Sequence, residues 1–313
     1  MKKNILLIAA LLGAMAWTSC QKMEDDFING VPDVADDQEK VTYNVTISAV
    51  KNDGPKTKGL AVEGEEASTT VLQSIWKANE PVKVYLGTNC IGTLTATPDG
   101  TDAHIATLSG TVTTSGITPG TTTLTLLTPR EEWDYTGQVG KLLLSDDTEN
   151  SIEKKYHYTA ATNVLVTAVD GSSITTEEGH FTNKQSIYRL NFRYDDGVTK
   201  TAITTKSVTI SAANGHLVQS QNVDGSTVVE GPISVTLATA SADPFFAALR
   251  NTDETNAEAL TFTVIDADGV TYRGSKTINA ENKANGTFVS VKNASLDERL
   301  QLAQSSTEVD TAL

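Results

Sequence analysis

Trp133 and Tyr135 stand two residues apart in a stretch without regular periodicity, and exposed aromatic faces are what sugar platforms use. They are the candidate ligand contacts; the alternative is that both pack this stretch onto the fold. Other chemistry is sparse. His104, His157, His180 and His216 lie far apart with no Cys or His nearby in sequence, so no metal site is expected from them. The runs G-x-S-x-G, G-x-G-x-x-G, H-E-x-x-H and the Walker phosphate loop do not occur. Glu131-Glu132 and Asp146-Asp147 are paired carboxylates, but adjacent acids in polar stretches read as solvated charge rather than an acid/base pair. Asp266-Ala267-Asp268-Gly269 opens like a calcium loop, lacks the later acceptors and the closing Glu, and reads as a hairpin turn. No catalytic residue, cofactor or metal is expected, and the chain reads as a non-enzyme.

The one residue with a clear covalent chemistry is Cys20. It follows a basic start at Lys2 and Lys3, a thirteen-residue apolar run from Ile5 to Trp17, and the small residues Thr18 and Ser19. A run that short, at about 1.5 Å per helical residue, falls short of the roughly 30 Å hydrocarbon core and reads as an export signal over residues 1–19. A cleavage junction followed directly by Cys resembles that of a bacterial lipoprotein, in which the thiol is acylated, with palmitate among the chains, and becomes the first mature residue. Trp17 departs from the aliphatic residue usual three positions before it. Several acyl chains, each CH₂ contributing about 0.8 kcal/mol, give a lasting anchor in the outer membrane.

These residues need elements to hold them. The whole chain carries 39 Asp and Glu against 24 Lys and Arg, a net charge of −15. Loss of Lys2 and Lys3 with the signal leaves −17. With no basic stripe anywhere, nucleic acid is excluded as a partner. Two cysteines, one inside the signal region, exclude a disulfide scaffold. Residues 20–40 read as an acidic flexible tether. From Val41 onward Thr, Val, Ile and Ser dominate, with turn residues every eight to twelve positions, so the fold class is all-β. Val41, Tyr43, Val45, Ile47 and Ala49 alternate with polar residues, giving a first strand with one apolar face. Two runs of short strands predict two tandem β-sandwiches, over residues 41–175 and 176–293, with a helical turn in residues 149–156. Asp224-Gly225 and Asp268-Gly269 are hairpin signals. Ser295-Leu296-Asp297-Glu298 has the form of a capping box and predicts a short helix and polar tail over residues 294–313.

Three segments carry a family likeness. Ser74-Ile75-Trp76-Lys77-Ala78-Asn79-Glu80-Pro81-Val82-Lys83-Val84-Tyr85 resembles the "W…G-D-x-I-x-V-Y" signature of fimbrillins, the subunits of type V pili, with Asn79-Glu80 where Gly-Asp is usual. Residues 134–140 (DYTGQVG) and 181–190 (FTNKQSIYRL) are similar to segments recurrent in fimbrillin-like surface lipoproteins. The likeness runs from the signal to about Val291, and the order of the segments behind Cys20 is its most specific feature.

That resemblance implies two transthyretin-like Greek-key sandwiches, a lipid-anchored and surface-exposed location, and assembly into a fimbrium by donor-strand exchange, serving cell adhesion. A trypsin-like protease would cut beyond the first strand, release Val41 to Val50, and open a groove that another pilus subunit's strand fills by β-augmentation. Here the cut maps to Asn52-Asp53-Gly54-Pro55-Lys56-Thr57-Lys58-Gly59, at Lys58 first and Lys56 second, where the family's usual residue is Arg. A host or bacterial surface glycan or protein would be the adhesion target. The alternative is a glycan-binding surface lipoprotein of a nutrient-uptake system that uses Trp133 and Tyr135.

Overall fold

The computed structural model describes residues 39–51, 61–62, 70–128, 132–140, 152–222, 227–280 and 285–300. The first strands are β1 (Val41–Lys51), β2 (Ala61–Val62), β3 (Thr70–Gln73), β4 (Pro81–Leu86), β5 (Asn89–Pro98), β6 (Ile105–Thr114) and β7 (Thr123–Thr128). Then come β8 (Glu132–Asp134), β9 (Gln138–Gly140), the single helical turn α1 (Ile152–Tyr156), β10 (Thr159–Asp170), β11 (Ser173–Thr176) and β12 (Gly179–Asn183). The later strands are β13 (Ser186–Asp195), β14 (Lys200–Ala202), β15 (Thr205–Ala212), β16 (Val218–Asn222), β17 (Val228–Glu230), β18 (Ile233–Ser241) and β19 (Phe245–Leu249). Last are β20 (Glu258–Asp266), β21 (Thr271–Ile278), β22 (Thr287–Leu296) and β23 (Glu298–Leu300). The all-β class expected from the sequence is what the chain adopts, and its sheets are layered as sandwiches.

Alternation decides how the first sheet closes. In β1 the residues Val45, Ile47 and Ala49 point inward and their neighbours outward, as a half-buried strand of period two must. β1 pairs antiparallel with β6 over ten residues, from Val41 against Thr114 to Val50 against Ile105, and runs parallel to β11 and β12 on its other side. The ladder continues through β10, β7, β4 and β5 back to β6, so the hydrogen-bonded circuit meets itself at β1. Inside lie Val45, Ile47, Val84, Leu94, Leu108, Leu124 and Val166, with Trp76 meeting Phe181 edge to face at 4.8 Å.

The second core is built on β13, β15, β18, β19, β20 and β22, around Phe192, Phe245 and Phe262. It also reaches the outer face of the first sheet through Tyr85, Leu127 and Ala160. β11 and β12 belong to the first sheet, and β13 is the first of the strands that form the second core's main sheets. Four early strands join the sheets of the second half: β3 pairs with β22 and with β2, β8 with β16 and β9 with β18. Gln138 fastens the last of these, because its carboxamide donates to Ala248 O at 2.5 Å and accepts from Ala248 N at 2.8 Å, as a neighbouring peptide would.

The expected helical turn is α1, with Ile152 and Tyr156 buried at the i, i+4 spacing of one helix face. Around the Asp268-Gly269 turn, Asp266 Oδ1 accepts from the amides of Asp268 and Val270, and Gly269 holds φ +82°. The expected helix at Ser295-Leu296-Asp297-Glu298 is not formed. Ser295 and Leu296 continue β22 beside Arg193 and Tyr194, and β23 pairs with β21. A capping box contributes on the order of 1 kcal/mol, and burial of Leu296 together with two strand pairings outweighs it. Residues 301–313 lie outside the described residues.

Gly274 lets β21 pass against β22. A Cβ there would lie 2.9 Å from both Leu296 Cα and Ser295 O, too close for backbone to yield cheaply. Gly274→Val is therefore expected to lower stability by about 1–3 kcal/mol, read as a lower urea midpoint at unchanged slope.

Candidate functional site

The described residues that the family resemblance singles out converge on β1. Val45, Ile47 and Ala49 are buried in the first core, Tyr43 is half-buried at its edge, and Val41 is 40% exposed at the strand's start. Cys20, Lys56 and Lys58 lie outside the described residues.

Sequence reasoning missed the residue that ends this strand. Lys51 continues the inward phase of Val45, Ile47 and Ala49, and its side chain is buried at 2% exposure. Its ammonium donates to Glu80 Oε1 at 2.6 Å and to Ile75 O at 3.3 Å, and sits 4.0 Å from the Trp76 ring centroid. Glu80 Oε1 also accepts from Thr128 Oγ1 at 2.6 Å, and Oε2 from the Lys77 amide at 3.1 Å. His104 grips the backbone of the same residue. Its carbonyl accepts from Lys51 N at 2.9 Å, and its Nδ1 faces Lys51 O at 3.0 Å and Ser74 O at 2.9 Å. Two carbonyl acceptors require a proton on that nitrogen. The signal that could have found Lys51 was present: strict period two puts position 51 on the core face.

Asn79, just before Glu80, holds φ +63°, a left-handed conformation that Asn adopts more readily than most residues. Glu80 is the carboxylate that meets Lys51.

Burial pushes the Glu80 carboxyl up, but the Lys51 charge and the hydrogen bonds from Lys51, Thr128 and the Lys77 amide more than offset this and hold it below its ordinary value of 4.5. A carboxylate depressed in the folded state contributes stability above that ordinary value, and the contribution is lost as pH falls through the lower folded value. We expect the urea midpoint of the natural chain to fall from about pH 4.5 downward more steeply than that of Glu80→Gln, with the two curves converging at the acid end, where Glu80 is neutral.

Trp133 and Tyr135, expected as possible contacts for a ligand, are instead buried, at 5% and 0% exposure. The Arg250 guanidinium lies 4.5 Å from the Trp133 ring centroid and donates to Lys184 O at 3.0 Å. Tyr135 Oη donates to the same carbonyl at 3.3 Å, and its ring meets Tyr158 at 5.4 Å. Burial pushes the Tyr135 phenol far up from its ordinary value. The pairing of β8 with β16 turns both rings inward, so they hold the 132–140 segment on the second core.

The histidines stay apart. His157 Nε2 meets Asn183 Oδ1 at 2.9 Å, His180 lies 3.5 Å from Glu178, and His216 lies 3.7 Å from Glu258. Among the described residues no group of three or more His, Cys, Asp or Glu is placed to hold a metal ion. No helix among them is long and apolar enough to cross a membrane.

No family model matches the chain, and no curated protein matches it. Solved structures similar to it include one assigned as a cell adhesion protein from Bacteroides uniformis, at 15% identity and TM-score 0.37, over 82% of this chain and 97% of that one. Another, assigned as an adhesin from Bacteroides ovatus, shows 10% identity and TM-score 0.38 over 88% of this chain and 100% of that one. A third, assigned as a cell adhesion protein from Bacteroides fragilis, shows 10% identity and TM-score 0.36 over 83% and 99%. The sandwich architecture described above rests on the sheets of this chain themselves.

Proposed function

We propose that the chain is a fimbrillin-like adhesion subunit, without catalytic activity, anchored at the cell surface through an acylated Cys20 and joined to other subunits by exchange of β1. One observation carries this reading. β1 is the strand at which the first sheet's circuit closes, it contributes Val45, Ile47, Ala49 and Lys51 to the interior, and it directly precedes the segment holding Lys56 and Lys58. A cut after Lys58 detaches a strand whose departure leaves β6 with an unpaired edge beside a row of apolar pockets. An incoming strand satisfies both.

The test is made on the mature chain nicked by trypsin after Lys58. The expected result is loss of the fragment of residues 20–58, which carries β1, and oligomers whose size grows with protein concentration; a nicked chain that stays monomeric over the whole range overturns self-assembly. Intact mass of protein recovered from the native cell surface tests the anchor: an acylated Cys20 supports the membrane-held form, and a chain beginning at Gly59 supports processing.

A further inference from the structure

We infer that the position filled by β1 selects for a cation: a strand that replaces it from another subunit must carry three apolar residues at alternate positions and a Lys or Arg at the next alternate one. This rests on the strand-exchange reading and adds to it the chemistry of the partner strand.

The socket for that cation belongs to the rest of the fold. Ile75 O, the Trp76 ring, the Glu80 carboxylate and Thr128 Oγ1 all lie outside β1, so they remain when it leaves. Glu80, 16% exposed at its side chain, keeps only neutral donors, Thr128 Oγ1 and the Lys77 amide, once Lys51 is gone. Covering it with an apolar strand end buries a carboxylate without its counter-charge, and covering it with an acidic one brings two like charges together. Either penalty is paid only in the complex. An ammonium or guanidinium removes it. The apolar part of the groove discriminates little, since Val45, Ile47 and Ala49 ask only for branched or small side chains at period two, so the choice among strands falls to the charge.

The experiment uses the mature chain nicked after Lys58, held at a urea concentration where its fragment of residues 20–58 exchanges with added peptide. The probes are fluorescein-labelled peptides of residues 41–51 ending in the natural Lys, or in Arg, Met or Glu. Lys and Arg peptides are expected to bind, the Met peptide at least tenfold more weakly, and the Glu peptide without detectable binding. In a Glu80→Gln chain the difference between Lys and Met is expected to shrink to less than threefold. Equal binding of the Lys and Met peptides overturns the selection for charge and leaves strand exchange standing. Failure of the natural peptide itself to bind at any urea concentration below unfolding overturns strand exchange, and this inference with it.

Discussion

Replacing Lys51 by Met is expected to destabilise the first sandwich by about 3–5 kcal/mol, because it strands the Glu80 carboxylate in a site closed to water on most sides. Methionine preserves most of the buried stem and the strand pairing, so the loss reports on the charge rather than on volume. The partner change settles the cause. Lys51→Met combined with Glu80→Leu removes both charges and is expected to return stability to within about 1 kcal/mol of the natural chain, or above it, since an apolar pair of similar size often equals or exceeds a buried ion pair. The four-cornered comparison in urea gives the coupling energy directly. A loss below about 1 kcal/mol for Lys51→Met would mean that solvent reaches the pair and that β1 is held by its apolar residues alone.

Trp133→Ala is expected to cost about 3–5 kcal/mol as well, through the cavity left by a buried indole and the loss of the cation beside it. The substitution separates the two roles that can be given to this residue. A packing role predicts a large fall in the urea midpoint and release of the 132–140 segment from β16 and β18, seen as faster hydrogen exchange at Tyr135 and Val139. A ligand-contact role predicts an unchanged midpoint with lost binding on a glycan array. Burial of Tyr135 in the same segment favours the first outcome.

How far the sequence could be read depends on the range of the interaction involved. The alternation of Val45, Ile47 and Ala49 is set by the pleat of a single strand, so β1 and its inward face were legible from the residues alone. The helical turn α1 falls within the stretch 149–156 read as helical, but its buried pair Ile152 and Tyr156 emerges only from the packing of that turn. Lys51 was passed over although its phase was correct, because its residue type argues for solvent and only a counter-charge 29 positions away makes burial tolerable. Trp133 and Tyr135 failed in the opposite direction: no local period assigns their faces, and pairing with a strand nearly 90 residues later turned them inward. The capping box around Ser295 was a sound local signal, overruled when β13 and β21 offered that stretch strand partners.

The sequence by itself therefore determined the all-β class and the faces of the strands with clear alternation, since each is written in neighbouring residues. Only the tertiary structure decided which early segments the second half annexes, and that β1 closes the first sheet with a buried cation at its end. Those features are choices of partner between residues far apart in the chain, made by the gain from burying apolar surface and matching charge, which no window along a single strand contains.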